Sequence, residues 1–356
     1  MKSVVGDVMR SNYWDTWKGI TILCVATLHA TGTFQFPTKS RNWYCELVIC
    51  QFADFAVPMF LALSGYFAAK SFTHVFHDIK KYWLARFVRI IPPYLFWTAV
   101  FVLLKRRSDL LSINALDKDI FFGLGIGIGY FVIVLLQFIL LTPLIMKIKK
   151  AQDHIVIMVS ITSVGLLLNY LLRIQHPWLL FAQFPYYAIS FLTWYPFYHL
   201  GIFIQQQGYA DNPSFTGQAT KFFVIYLFFV FASITEALML SSKGLMSLAV
   251  SQIKFTSFLA SISLFLFAVA FHGVEDTRTK NTILTWLGRN SYLIYLMHLL
   301  FFPRVSTLLK HISIPYNIQP VYILLQVIVV ISICSFIILI SKITVPRTIQ
   351  KLCLGI

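Results

Sequence analysis

The sequence predicts an all-α polytopic membrane protein with about ten transmembrane helices. Three observations carry that prediction. Of the 356 residues, 58% are hydrophobic and 12% are charged, about half the charged fraction of an ordinary soluble domain. The mean hydropathy is +0.76. The apolar residues also gather into runs of about 20, the length needed to cross a bilayer. So little charge cannot clothe a chain in water, which excludes the soluble globular and disordered classes. The formal net charge of +16 would point to nucleic acid in a soluble protein. Here the basic residues are dispersed between apolar runs, as topology and anionic headgroups select, and no nucleic-acid partner is expected.

The expected spans cover residues 17–36, 46–69, 84–104, 120–146, 154–172, 186–204, 221–240, 254–272, 283–303 and 318–341. The first carries His29 in its middle and lacks a small-residue cleavage site, so it reads as a retained helix and not as a signal peptide. Pro92-Pro93 should kink the third. The fourth opens with Gly123, Gly125, Gly127 and Gly129 before Tyr130, which predicts a flexible or broken turn at its start. Residues 1–356 read as one membrane domain. The polar segments between spans are short, which leaves no room for a soluble catalytic domain, so chemistry must use groups within the helices or at their ends. Five cysteines (Cys24, Cys45, Cys50, Cys334, Cys353) form no CxxC pair and read as small buried hydrophobes.

Ten spans put both termini on one side. With the N-terminus inside, 18 of the 29 Lys and Arg residues are cytoplasmic, so the positive-inside rule favours cytoplasmic termini. The segment Lys105-Arg106-Arg107 dissents, because this arrangement places it outside.

Ionisable groups inside a bilayer cost about 2.5–3.5 kcal/mol each on insertion scales and are therefore site candidates. Asp15 and Lys18 precede His29. Lys18 and His29 are eleven residues apart, so they share a helix face with about 16 Å between them along the axis. This is a cation for an anionic ligand at one level and a general base at another. The alternative is an interfacial lysine and a histidine bonded to a neighbouring helix. Arg86 and Arg89, at i and i+3, fall on one face, suited either to gripping a diphosphate through forked hydrogen bonds or to anchoring at the interface. Asp54, in the outer half of the second span, wants a partner such as His29 or a substrate hydroxyl. Asn290 or Ser291 is placed to cap the ninth helix, on which Tyr295 and His298 share a face. Glu236 reads as structurally paired. His74 and His77 have helical metal-ligand spacing, but no third ligand accompanies them and no metal site is expected. The chain contains no GxSxG elbow, Walker A loop or HExxH motif, and no matched pair of broken helices of the transporter kind.

Several of these stretches coincide, in order, with a known pattern. They are Asp15-xx-Lys18-Gly19 leading to His29; Val57-Pro58-Met59-Phe60-Leu61-Ala62-Leu63-Ser64-Gly65-Tyr66-Phe67; Arg86-xx-Arg89-Ile90-Ile91-Pro92-Pro93-Tyr94; Tyr130-Phe131 with Pro143; and Leu287-Gly288-xx-Ser291-Tyr292-x-Ile294-Tyr295-Leu296-x-His298. The sequence resembles the acyltransferase-3 family of integral membrane acyltransferases of envelope sugars, in its stand-alone form without an esterase-like domain. The resemblance implies O-acyl transfer, usually acetyl, with no bound cofactor and acetyl-CoA as co-substrate. It implies a cytoplasmic acyl-CoA donor and an envelope saccharide acceptor, in a bacterial inner membrane. His29 would be catalytic with Asp15 and Asp54. Lys18, Arg86, Arg89, Ser64 and Tyr66 would bind the donor, and Tyr130, Tyr295 and His298 the acceptor. The competing expectation is a transporter or flippase of a lipid-linked saccharide.

Overall fold

In hydrocarbon every backbone N–H and C=O must be bonded within the protein, which leaves helices as the natural form for apolar runs of this length. The computed structural model describes residues 11–31, 36–74, 78–105, 113–275, 282–311 and 317–354. All regular elements among them are helical. In chain order, apart from helical turns of three or four residues, they are α1 (Asn12–Ala30), α2 (Arg41–Ala53), α3 (Ala56–His74), α4 (Ile79–Lys105) and α5 (Ile113–Phe121). Next come α6 (Tyr130–Ile145), α7 (Ala151–Gln175), α8 (Phe191–Gln206), α9 (Ala219–Ser242) and α10 (Phe255–Glu275). The chain closes with α11 (Ile283–Arg289), α12 (Ser291–Met297), α13 (Phe302–His311), α14 (Gln319–Thr344) and α15 (Arg347–Leu354).

Among the described residues six stretches are long and apolar enough to cross a membrane: Arg41–Thr73, Ile79–Leu104, Ala151–Gln175, Ala219–Ser242, Phe255–His272 and Gln319–Thr344. The pair Ser291–Leu300 and Phe302–His311, bent by 57°, raises this to seven at most. The expected count of ten is not confirmed. The shortfall has a physical cause. α6 is apolar but only 16 residues long. α8 is likewise only 16 residues long, and both it and α1 carry polar side chains that neighbouring helices surround. Trp194 through Ile204 of α8 are all buried, so that helix meets protein where a lipid-facing helix would meet hydrocarbon.

Two close approaches fix this centre. A Cβ on Gly65 of α3 would fall on the Tyr198 carbonyl of α8, and one on Gly201 of α8 on the Ala62 carbonyl of α3. Gly19 and Gly288 perform the same service between α1 and α11. Small residues at such crossings let backbones touch, which is how helices associate without a hydrophobic driving force between them.

The expected second span is two helices that meet at Asp54-Phe55. Pro58 explains the break: it has no N–H to donate to the Asp54 carbonyl. By contrast, Pro92 and Pro93 lie inside a helix assigned without interruption from Ile79 to Lys105. The ninth span is also divided. Asn290 stands between α11 and α12 but makes no side-chain cap. Its amide donates to the Trp286 carbonyl (2.7 Å) and its carbonyl oxygen accepts from Lys342 (3.0 Å). Lys2, Arg10, Arg106, Arg107, Arg278 and Lys280 of the topology argument, and His77 of the metal-like spacing, lie outside the described residues.

Candidate active site

A cavity of about 410 Å³ opens among α1, α3, α6, α12 and the turns around them. Val25, Leu28 and His29 line it from α1, Val57 from α3 and Tyr130 from α6. Gly127, Ile128, Phe184, Gln252, Tyr295 and Leu299 complete the wall. Three of the expected site residues, His29, Tyr130 and Tyr295, therefore face one space.

α1 delivers His29 by satisfying its other polar groups internally. The Thr21 and Thr27 hydroxyls donate to the carbonyls one turn back, Trp17 at 2.7 Å and Leu23 at 2.9 Å. The His29 ring makes no hydrogen bond among the described residues. Its ring lies 5.3 Å, centroid to centroid, from that of His298. His298 is fully buried, and its Nδ1 lies 3.0 Å from the Ile294 carbonyl and 2.9 Å from the Tyr295 carbonyl. The glycine-rich turn supplies the opposite wall. Gly127 has φ +88°, a conformation glycine adopts without steric penalty, and the Tyr295 hydroxyl donates to the Ile128 carbonyl. Tyr130 lies parallel to Trp194 at 6.3 Å and edge-on to Phe184 at 5.7 Å.

The remaining expected residues gather elsewhere. Asp15 is buried and lies 3.2 Å from both Lys18 Nζ and Arg289 Nε. It is fourteen residues from His29, about 21 Å along the helix, so the two carry no common reacting atom. Lys18 Nζ sits 4.7 Å from the Phe67 ring centre, and the neighbouring Tyr66 packs on Trp14 at 5.2 Å. One turn along α3, Ser71 accepts a hydrogen bond from Arg86. Phe67 and Ser71 are four residues apart on one face, so Lys18, Tyr66 and Arg86 belong to the same end of the bundle. The Arg86 Nε is buried without a hydrogen-bond partner among the described residues. Arg89 is exposed, while Ser64 is half-buried. None of these residues lines the cavity.

Asp54 pairs with neither His29 nor the cavity. Its partner is Lys254, at 2.9 Å, with Ser257 donating at 2.8 Å. Lys254 also donates to Gln51 and Ser257, and Ser233 donates to Gln51 at 2.8 Å. Glu236 is held by Tyr170 and by the Thr256 amide at 3.0 Å. Sequence reasoning missed Lys254, which stands first in an expected span and resembles an interfacial anchor. It also missed Gln252, which has no distinguishing motif, and the buried pair His154–His199, whose facing ring nitrogens are 2.7 Å apart.

The family model described as an acyltransferase domain, Acyl_transf_3, matches residues 11–341. No curated protein and no solved structure matches the chain. The match runs from the start of α1 almost to the end of α14 and contains every candidate residue above. The chain therefore belongs to the acyltransferase-3 family and is a multi-pass membrane acyltransferase.

Proposed function

We propose that the protein moves an acyl group, acetyl in the simplest case, from acyl-CoA to a hydroxyl of an extracytoplasmic or lipid-linked saccharide, with His29 as general base. The observation that carries this reading is the position of His29 on a cavity in the apolar core, on the same helix face as a cation eleven residues earlier. Imidazole titrates near neutral pH and is the usual acceptor of a hydroxyl proton. As His29 takes that proton, the hydroxyl oxygen attacks the thioester carbonyl. A C–O bond forms, the C–S bond breaks, and CoA leaves as the thiolate. The thiolate then takes the proton from the imidazolium, restoring neutral His29.

At the other end Lys18, Arg86 and Arg89 hold the CoA phosphates, flanked by Ser64 and Tyr66. Asp15 keeps Lys18 and Arg289 in place. The pantetheine arm spans the roughly 16 Å from Lys18 to His29, and Tyr130 and Tyr295 bound the acceptor. The Asp54–Lys254 pair supports α2 and α10 behind the cavity. The protein resides in a bacterial inner membrane with both termini in the cytoplasm, so that the cationic end meets the acyl-CoA pool.

Purified protein with radiolabelled acetyl-CoA and a membrane extract tests the proposal. Free CoA is released, a glycan becomes labelled, and His29→Ala abolishes both at unchanged expression. Movement of saccharide across proteoliposomes with no acyl donor, and without CoA release, would replace this reading with the transporter.

A further inference from the structure

The cavity histidine has a second histidine behind it, and the chemistry of that neighbour is constrained. His298 is fully enclosed. Its Nδ1 faces two carbonyl oxygens, those of Ile294 and Tyr295. Carbonyls only accept, so Nδ1 is the nitrogen that carries the hydrogen, and in the neutral ring Nε2 is then a bare acceptor. That Nε2 is buried and has no hydrogen-bond partner among the described residues. The ring beside it is His29, at 5.3 Å and an interplanar angle of 48°. The protein contains a gauge for such a spacing: the rings of His154 and His199, 5.0 Å apart at 57°, share an N···N contact of 2.7 Å. Two imidazole rings at this spacing can therefore share a nitrogen–nitrogen hydrogen bond. No carboxylate bonds to either ring among the described residues.

We infer that His298 is a positioning residue: its Nε2 accepts the N–H of His29 and thereby leaves the other His29 nitrogen unprotonated toward the cavity. It takes the orienting place that a carboxylate holds in many hydrolytic triads, and it does so without adding charge to the membrane interior. This differs from the acceptor contact implied for His298 by its motif. It rests on the proposed role of His29 as base. During turnover the proton from the acceptor hydroxyl resides on His29, whose opposite N–H remains bonded to His298, and then passes to the CoA thiolate.

The test compares two substitutions in the full-length protein, assayed by CoA release from acetyl-CoA with membrane-extract acceptor. His298→Gln places an amide oxygen near the position of Nε2. His298→Asn keeps a donor near Nδ1 and removes the acceptor. We expect Asn to lower kcat about 100-fold, within the range for loss of base function, with both KM values within about twofold. Gln should retain most of the rate. A raised acceptor KM at unchanged kcat, or an equal fall in Gln and Asn, overturns the inference. Nitrogen-15 NMR of histidine-labelled wild-type protein gives a readout independent of turnover. Protonated Nδ1 and unprotonated Nε2 on His298 support the inference, and the reverse tautomer refutes it. Absence of any acyl transfer by the wild type would instead reject the proposed function and leave the tautomer measurement standing.

Discussion

Removing the amine of Lys254 separates the scaffold from the chemistry. Lys254 and Asp54 are both buried, with 2.9 Å between Nζ and Oδ2, so Lys254→Met leaves a carboxylate in the apolar interior without its cation. Breaking a buried pair from one side costs about 3–5 kcal/mol. Replacing both partners is a different matter. In Lys254→Met with Asp54→Asn, the Gln51 carbonyl oxygen still accepts from Ser233 and the Ser257 hydroxyl still lies 2.8 Å from that of Ser233. No charge is left unpaired, and neutral replacement of a buried pair is often close to cost-free. We therefore expect the double variant to recover to within about 1 kcal/mol of wild type. SDS titration in mixed micelles, followed by tryptophan fluorescence, measures each stability and closes the double-mutant cycle. A single Lys254→Met cost below about 1 kcal/mol, or a double variant no better than the single, would refute the reasoning. The same double variant should retain acyl transfer, since the pair does not line the cavity; loss of transfer in a stably folded double variant would return Asp54 to the chemistry.

Arg86→Ala and Arg89→Ala should each raise KM for acetyl-CoA with little change in kcat, and raised ionic strength should do the same to wild type by screening phosphate contacts; unchanged donor affinity in both variants removes them from the donor site. Asp15→Ala should release Lys18 and Arg289 from their shared carboxylate and weaken donor binding, while acyl transfer from a saturating donor proceeds near the wild-type rate, as steady-state kinetics would report. Gly65→Ala drives a methyl group into the Tyr198 backbone and should cost about 3 kcal/mol by overpacking, seen as lost monodisperse protein on size exclusion. A reporter fused at the C-terminus should read cytoplasmic; a periplasmic signal contradicts the orientation.

The three polar rings on the cavity, His29, Tyr130 and Tyr295, were legible in the sequence because they are constrained locally. The eleven-residue interval from Lys18 to His29 needs only helical geometry to place the two on one face and far apart. Tyr295 and His298 announce themselves by spacing, whereas the break at Asp54 falls inside a stretch that reads as one continuous span. What escaped was set by contacts between distant segments. Asp54 finds Lys254 two hundred residues away, and no local pattern selects that lysine from among the interfacial ones. Asn290 has the side chain of a cap, yet Lys342 and the Trp286 carbonyl claim it. The span count suffered likewise, since hydropathy measures contact with lipid and says little about a helix enclosed by other helices.

That enclosure bears on how the protein is made. Insertion machinery sorts segments by their preference for hydrocarbon over water, and neither α1 nor α8 is among the helices long and apolar enough to cross a membrane. The helix that carries His29 must be retained by partners synthesised later, α11 among them, more than 250 residues downstream. Substitutions that loosen those partnerships will reduce the amount of correctly threaded protein while leaving each surviving molecule as fast as before.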